Sequence, residues 1–502
     1  MSGGQTGADR AGLDVARIDK CPGGRAFLIP NMPAPGCISS SMNPPSNHLS
    51  PWILPGLLWV IFSSGCMLPP KQDHAFIAYW PPPKDSQKLK LAIKDNIDMK
   101  GVVTTAGSEY LAKTRPPATR DAACLAIARQ RQVDIVGKTN LPEFAIAPSG
   151  INDHFGTPKN PFNRWQKLIP GGSSSGSAYA VATGKADVAF GTDTAGSVRV
   201  PAACCGVCGL KTTFGLVPIA GAFPVEPQHL DTIGPLARKI AGVAQGMDLL
   251  QDGFAARYAS AVAARPSASA IKIGRLTLRG TDRRIDQAVD DALARAGFKV
   301  VPLGDAFRVK WEQAHSDGTA VAAAGAWISD GKYAGKLGVS ARTKSILAVG
   351  AVAYSTQYRA ALARRAEWQR TLRAVFKKVD FIALPTLQDL PPRLPPSLKV
   401  DLLKAQAEFS NVQDTTVLDL SDPRQFLSAI PATGLRLFGI DLLEADMLKV
   451  QNTVAVNFAG NPALAIPIPL AHGRIPTSLQ LIGPPLSEAA LLATGRLVEA
   501  KH

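Results

Sequence analysis

An α/β fold is predicted by three features of the 502-residue sequence. Short apolar runs alternate with stretches of helical period along residues 85–500. The hydrophobic share is 46% against 19% charged, the balance of a chain that buries a core. Gly (44) and Pro (40) are abundant, which supplies turns and rigid loops. Large α/β enzymes reach this length as one unit, so length does not force several domains.

The elements follow in order. Leu89–Ile93 reads as a strand, Ala122–Gln132 as a helix and Asp134–Lys138 as the next strand. Ser177–Gly184 is a helix of small residues, followed by a strand at Asp187–Gly191. Ile271–Leu276 is a strand that leads to a helix from Arg284. The long helical pattern Gln357–Lys378 precedes a strand at Phe381–Leu384. Ala463–Ile468 and Thr477–Ile482 are late strands, and a helix from Ser487 closes the chain. No internal repeat is present. Pro391–Met447, with its PPRLPP run, is the least regular stretch and reads as an insertion or lid.

Residues 1–66 are unlike the rest and read as a leader, or as the product of a mis-assigned start, outside the fold; 67–88 read as a linker. A phosphate-loop-like opening, Ser2 to Ala16, breaks off without a strand–helix unit. An apolar run of about eleven residues then ends at Ser63-Ser-Gly-Cys66, too short for a membrane span but suited to a signal-peptide core. A lipid anchor at Cys66 and a periplasmic or membrane-anchored enzyme are expected, with a start at Met1 or Met42 and a cytoplasmic enzyme as the alternative.

The formal charge of +16 is spread along helix-like stretches such as Arg359–Lys378. No basic run is interleaved with aromatics, so a solvated basic surface is expected rather than a nucleic-acid groove. Cys204, Cys205 and Cys208 crowd together, but Cys205 and Cys208 lack the second pair of ligands a structural zinc needs. They read as buried thiols in a strand-to-loop segment, with no metal and no cofactor.

The chemistry concentrates in two small-residue segments, Gly171-Gly-Ser-Ser-Ser-Gly-Ser-Ala178 and Gly191-Thr-Asp-Thr-Ala-Gly-Ser-Val-Arg-Val-Pro201. The first is a Gly/Ser loop that opens a helix. The second follows a strand, and consecutive amides in such a turn can hold an oxyanion. Ser197 ends that turn and is placed as a nucleophile, but it needs a base. His154 and His229 lie near these segments without a triad pattern. Lys94 ends a strand, where burial disfavours the ammonium and leaves a competent amine.

These residues resemble the amidase signature family. The shared core reads GGSSxGSA…GTDTxGSxRxPAAxCGVxGLK. Agreement extends to Ile93-Lys94-Asp95-Asn96, Gly137-Lys-Thr-Asn-Leu-Pro-Glu-Phe144 and Ser478-Leu-Gln-Leu-Ile-Gly483. The likeness spans roughly Leu89–Ala500, with Pro391–Met447 unmatched. It implies one α/β/α domain, residues 89–500, around a large mixed, mostly parallel sheet of about ten strands. It also implies a Ser–cisSer–Lys triad of Ser197, Ser173 and Lys94, with a cis peptide at Gly172–Ser173. The oxyanion amides fall on Thr194, Ala195, Gly196 and Ser197. Ser174 reads as support for Lys94, and Asp193 and Arg199 as braces of the loop. Ser175 and Ala195, where many members have Gly, make the core most similar to that of allophanate hydrolases. The sequence outside the core does not follow that branch.

The resemblance implies an amidase that cleaves a carboxamide C–N bond through an acyl-Ser197 intermediate, acting on a small amide as a monomer or homodimer. The alternatives are a catalytically silent amidase-fold binding protein and an amidotransferase-type subunit. Helix N-capping competes for Ser173. The Gly172-Ser-Ser-Ser-Gly176 elbow would instead make Ser174 a nucleophile, but it needs a preceding strand, and Pro170 disfavours one. Asp95 is expected to point away from Lys94, leaving no carboxylate placed against it.

Overall fold

The computed structural model describes residues 73–501 except 163–166, 265, 395–442, 445–446, 449–450, 471–472 and 474. The leader with Cys66, and most of the expected lid, lie outside the described residues. Everything described falls in one compact unit, Lys71–His502.

The strands are β1 (Phe76–Tyr79), β2 (Lys90–Lys94), β3 (Asp134–Thr139), β4 (Val188–Asp193), β5 (Cys208–Lys211), β6 (Thr232–Ala237), β7 (Lys272–Arg275), β8 (Lys299–Pro302), β9 (Phe381–Pro385), β10 (Ala463–Ile468) and β11 (Thr477–Ile482). They form one sheet, in the order β1-β3-β2-β4-β6-β5-β10-β11-β9-β7-β8. The first helices are α1 (Glu109–Thr114), α2 (Ala126–Gln130), α3 (Ser175–Ala182), α4 (Arg199–Cys205), α5 (Ile240–Asp248) and α6 (Phe254–Ala263). Then come α7 (Arg283–Ala296), α8 (Asp305–Asp330), α9 (Ala341–Thr356), α10 (Tyr358–Phe376), α11 (Val454–Ala459) and α12 (Glu488–Glu499).

The sheet is large and mixed, as expected, but its parallel share is smaller. Only β2–β3, β2–β4, β7–β8 and β7–β9 pair in parallel. The six other pairings are antiparallel, because β5 and β6 and the adjacent β10 and β11 reverse the chain at the centre. The linker expectation also changes. Phe76–Tyr79 pairs antiparallel with β3 across a register shift and so covers that edge of the sheet.

Strand alternation sorts the sheet into two faces. Leu91, Ile93, Val188, Phe190, Leu464, Ile466, Leu479 and Leu481 pack in one core with α5, α6, α7 and α12. Ala92, Ala189, Leu236 and Ala465 face α3 and α4 on the other side. Further along that side, Ile382, Leu384 and Ile482 meet α8, α10 and α11. The residues opposite α3 are small for a reason. A Cβ on Gly191 would stand 2.6 Å from Ser174 Oγ, so the helix-opening loop can lie directly on the strand. The three cysteines bridge α4 and β5 rather than a strand and a loop. Gly206, at φ 66, ends the helix between them.

Candidate active site

The alternation that buries Leu91 and Ile93 turns Ala92 and Lys94 to the α3–α4 face, where Lys94 is wholly buried. Its Nζ lies 2.7 Å from Ser173 Oγ and 2.8 Å from Thr192 Oγ1. Burial lowers the Lys94 pKa to about 7, although Asp193 and Asp231 pull the other way. Those two carboxylates correct the expectation that none opposes the amine. Asp95 does point elsewhere, to Lys138 at 2.9 Å and to Thr105.

Ser173 sits in the loop before α3, and the Gly172–Ser173 peptide is cis. The loop is tight: a Cβ on Gly172 would meet the Ala147 carbonyl at 2.4 Å. Ser174 occupies the N-cap position but makes no side-chain cap bond, and neither does Ser173. Ser174 Oγ donates to the Thr192 carbonyl at 3.4 Å, so it meets Lys94 only through Thr192. Among the described residues no strand leads into this loop, which argues against the elbow reading of Ser174.

The turn between β4 and α4 is held by Asp193. Its carboxylate accepts from the amides of Gly196 (2.8 Å) and Val198 (3.1 Å), from Arg199 (2.9 and 3.0 Å) and from Asn457 Nδ2 (2.8 Å). Burial alone would raise its pKa, but the Arg199 charge, the hydrogen bonds and Lys211 hold it well below the usual carboxylate range. Arg199 also donates to the Thr453 carbonyl (3.1 Å) and to Gln480 Oε1 (2.7 Å). The Gly196 amide, expected among the oxyanion donors, thus donates to Asp193 in this structure. The amides of Thr194, Ala195 and Ser197 make no backbone bond among the described residues. Gly196 must be glycine, because at φ 130 a Cβ would stand 2.2 Å from Thr453 Oγ1.

Ser197, Thr194, Ala195 and Gly172 line a cavity of about 220 Å³. Ser197 Oγ makes no hydrogen bond among the described residues, so the Ser173–Ser197 contact is not closed here. Ala145–Pro148, α8 and α9 form the apolar walls. Neither His154 nor His229 lines the cavity; they pair with Glu109 and Glu226.

Several residues here had no reading from sequence. Asp231 accepts from Thr194 Oγ1 at 2.6 Å and from the Val225 and Glu226 amides. Thr453 Oγ1 donates to the Ala195 carbonyl. Glu444, within the segment expected to be a lid, lines the cavity and accepts from Arg342 (3.0 Å) and from the Ser149 amide (3.0 Å) and hydroxyl. Gln451 also lines the cavity. The only sequence signals were an acid before an apolar run at Asp231 and the polar Gln451-Asn-Thr453 ahead of α11.

A buried amine and two serines thus stand beside a turn whose amides open into an apolar cavity. A family model described as Amidase matches residues 89–421, running into the stretch read as unmatched. A glutamyl-tRNA(Gln) amidotransferase subunit from Halobacterium salinarum is 31% identical over 82% of this chain and 94% of its own. A 2-amino-5-chloromuconic acid deaminase from Comamonas testosteroni is 32% identical over 82% of this chain and 81% of its own. The structure of a bacterial aryl acylamidase shares the fold, with a TM-score of 0.63 and 22% identity over 82% of each chain. The chain belongs to the amidase signature family, and its class is that of an amide hydrolase.

Proposed function

We propose that the chain hydrolyses a carboxamide C–N bond through an acyl-enzyme on Ser197. The observation that carries this is the 2.7 Å contact between Lys94 Nζ and Ser173 Oγ, made by a lysine whose pKa burial brings to about 7. Near neutrality a large share of that amine is uncharged and can accept a proton. In the first step Lys94 takes the Ser173 proton while Ser173 takes that of Ser197. Ser197 Oγ then attacks the carbonyl carbon, and the amides of Thr194, Ala195 and Ser197 hold the oxyanion. Contacts of this kind contribute roughly 3–4 kcal/mol each. As the C–N bond breaks, Ser173 returns the proton to the leaving nitrogen. Water then adds to the acyl ester while the same pair takes its proton; the pair returns that proton to Ser197 Oγ as the ester C–O bond breaks, and the carboxylic acid leaves. The relay requires the Ser173–Ser197 contact to close around substrate.

A fluorophosphonate probe tests this reading. Labelling should fall on Ser197 and disappear, with amide turnover, in Ser197→Ala. Turnover that persists in a clean Ser197→Ala preparation defeats the assignment. The name of the Halobacterium relative supports amide transfer as a second reading. Hydrolysis by the purified chain alone, without an ammonia-consuming partner, favours the first. What supports export is the apolar run before Cys66; cell fractionation of the Cys66→Ala variant tests a lipid anchor there.

A further inference from the structure

We infer that Gln451 binds substrate, and that the acyl group entering the cavity is compact, uncharged and apolar except for one hydrogen-bond acceptor. This rests on the amidase reading. The cavity, at about 220 Å³, is smaller than the roughly 300–1,000 Å³ of sites for drug-sized ligands. Ala322, Ala323 and Ala326 of α8 and Ile346 and Val349 of α9 give it an apolar wall. Glu444 is the one ionisable side chain among the described lining residues, and Arg342 and Ser149 already engage it. An anionic acyl group would meet that carboxylate across an apolar space. A cationic one would find its counter-charge occupied.

Of the described lining residues, Gln451 alone carries a fully buried side-chain N or O atom without a hydrogen-bond partner. Its side chain is 2% exposed, and its Nε2 has no partner among the described residues. A buried amide donor left unpaired is costly unless a ligand supplies the acceptor. Its backbone is fixed, bridging to Leu387 and donating to the Met447 carbonyl at 3.2 Å. Two residues on, Thr453 grips the Ala195 carbonyl in the turn that carries Ser197. Gln451 and Ser197 line the same cavity.

The test uses the full chain and four primary amides of nearly equal volume. Cyclohexanecarboxamide is compared with the tetrahydropyran-2-, 3- and 4-carboxamides, each of which replaces one ring methylene by an ether oxygen. The readout is the kcat/KM ratio of each ether to the carbocycle within one enzyme preparation, which cancels differences in folded fraction. For at least one ether, Gln451→Met should lower that ratio about tenfold, since a site built to pair a polar group discriminates by that much or more. Ratios unchanged within about twofold for all three ethers overturn the inference alone, as does hydrolysis confined to charged or larger amides. If no amide is turned over and Ser197 is not labelled by a fluorophosphonate, the amidase reading falls and this inference with it.

Discussion

In the proposed mechanism Lys94 is the residue on which the chemistry turns, and its environment sets a pH dependence. Burial lowers its pKa to about 7, while Asp193 and Asp231 hold it up. The reactive form is the neutral amine, so kcat/KM should rise with pH through an ionisation near 7 and level off above it. Replacing Asp231 by Asn removes a negative charge that favours the ammonium, so the rising limb should move to lower pH. The same change replaces the carboxylate that accepts from Thr194 Oγ1 at 2.6 Å by a weaker, uncharged acceptor and should lower kcat. A limb that moves to higher pH, or does not move, contradicts this electrostatic account. Lys211 also titrates near 7 and is buried beside Arg199, but it bonds to the Thr212 and Asn461 carbonyls and does not line the cavity. Lys94→Arg separates the two, because guanidinium does not deprotonate: activity should be lost across the whole pH range.

At the scale of elements, the turn from Asp193 to Arg199 and the α8–α9 pair do most to shape the site. Gly196→Ala puts a methyl 2.2 Å from Thr453 Oγ1 and should displace the turn. The expected loss is on the order of 100- to 1,000-fold in kcat, as when an oxyanion donor is removed. An active Gly196→Ala enzyme, measured by steady-state kinetics, would mean the turn tolerates a shift that its contacts forbid. The α8–α9 pair is close because Gly350 faces the Ala323 carbonyl, 2.3 Å from where a Cβ would stand. Gly350→Ala should cost about 1–3 kcal/mol in denaturant unfolding.

These elements were unevenly legible in the sequence. Lys94, Ser173 and Ser197 stood in motifs, and Lys94 also ended a strand legible from its apolar residues. Asp231 was not legible, because its partnership with Thr194 depends on β6 pairing antiparallel with β4, with Asp193 opposite Thr232. Gln451 and Glu444 come to the cavity from more than a hundred residues beyond α9's start, a contact that no local pattern carries. Helix α8 has apolar residues on several sides, since it packs on α9, α10 and α11, and so lacks a single stripe to read.

Across the whole molecule the sheet separates stability from chemistry. One face packs a continuous apolar core and the other carries the loops of the site. Ile93, next to Lys94, belongs to the core face, and the two should respond differently to substitution. Ile93→Ala should cost about 2–5 kcal/mol by denaturant unfolding and leave the midpoint of the pH limb unchanged. A midpoint that moves with Ile93→Ala would mean the two faces are not independent. The expectation of a mostly parallel sheet failed at this same scale. Of the central strands, β10 and β11 read individually as strands and β5 and β6 had no reading, and direction is a property of their long-range order.

The central claim is that Lys94, acting through Ser173, activates Ser197. The most direct measurement is the second-order rate of fluorophosphonate labelling at Ser197 as a function of pH, in the wild-type chain and in Lys94→Ala. The account predicts a rate that rises through an ionisation near 7 in the wild type, and a low rate without that limb in Lys94→Ala. A limb that survives in Lys94→Ala, or an adduct carried by Ser174 instead of Ser197, would contradict it.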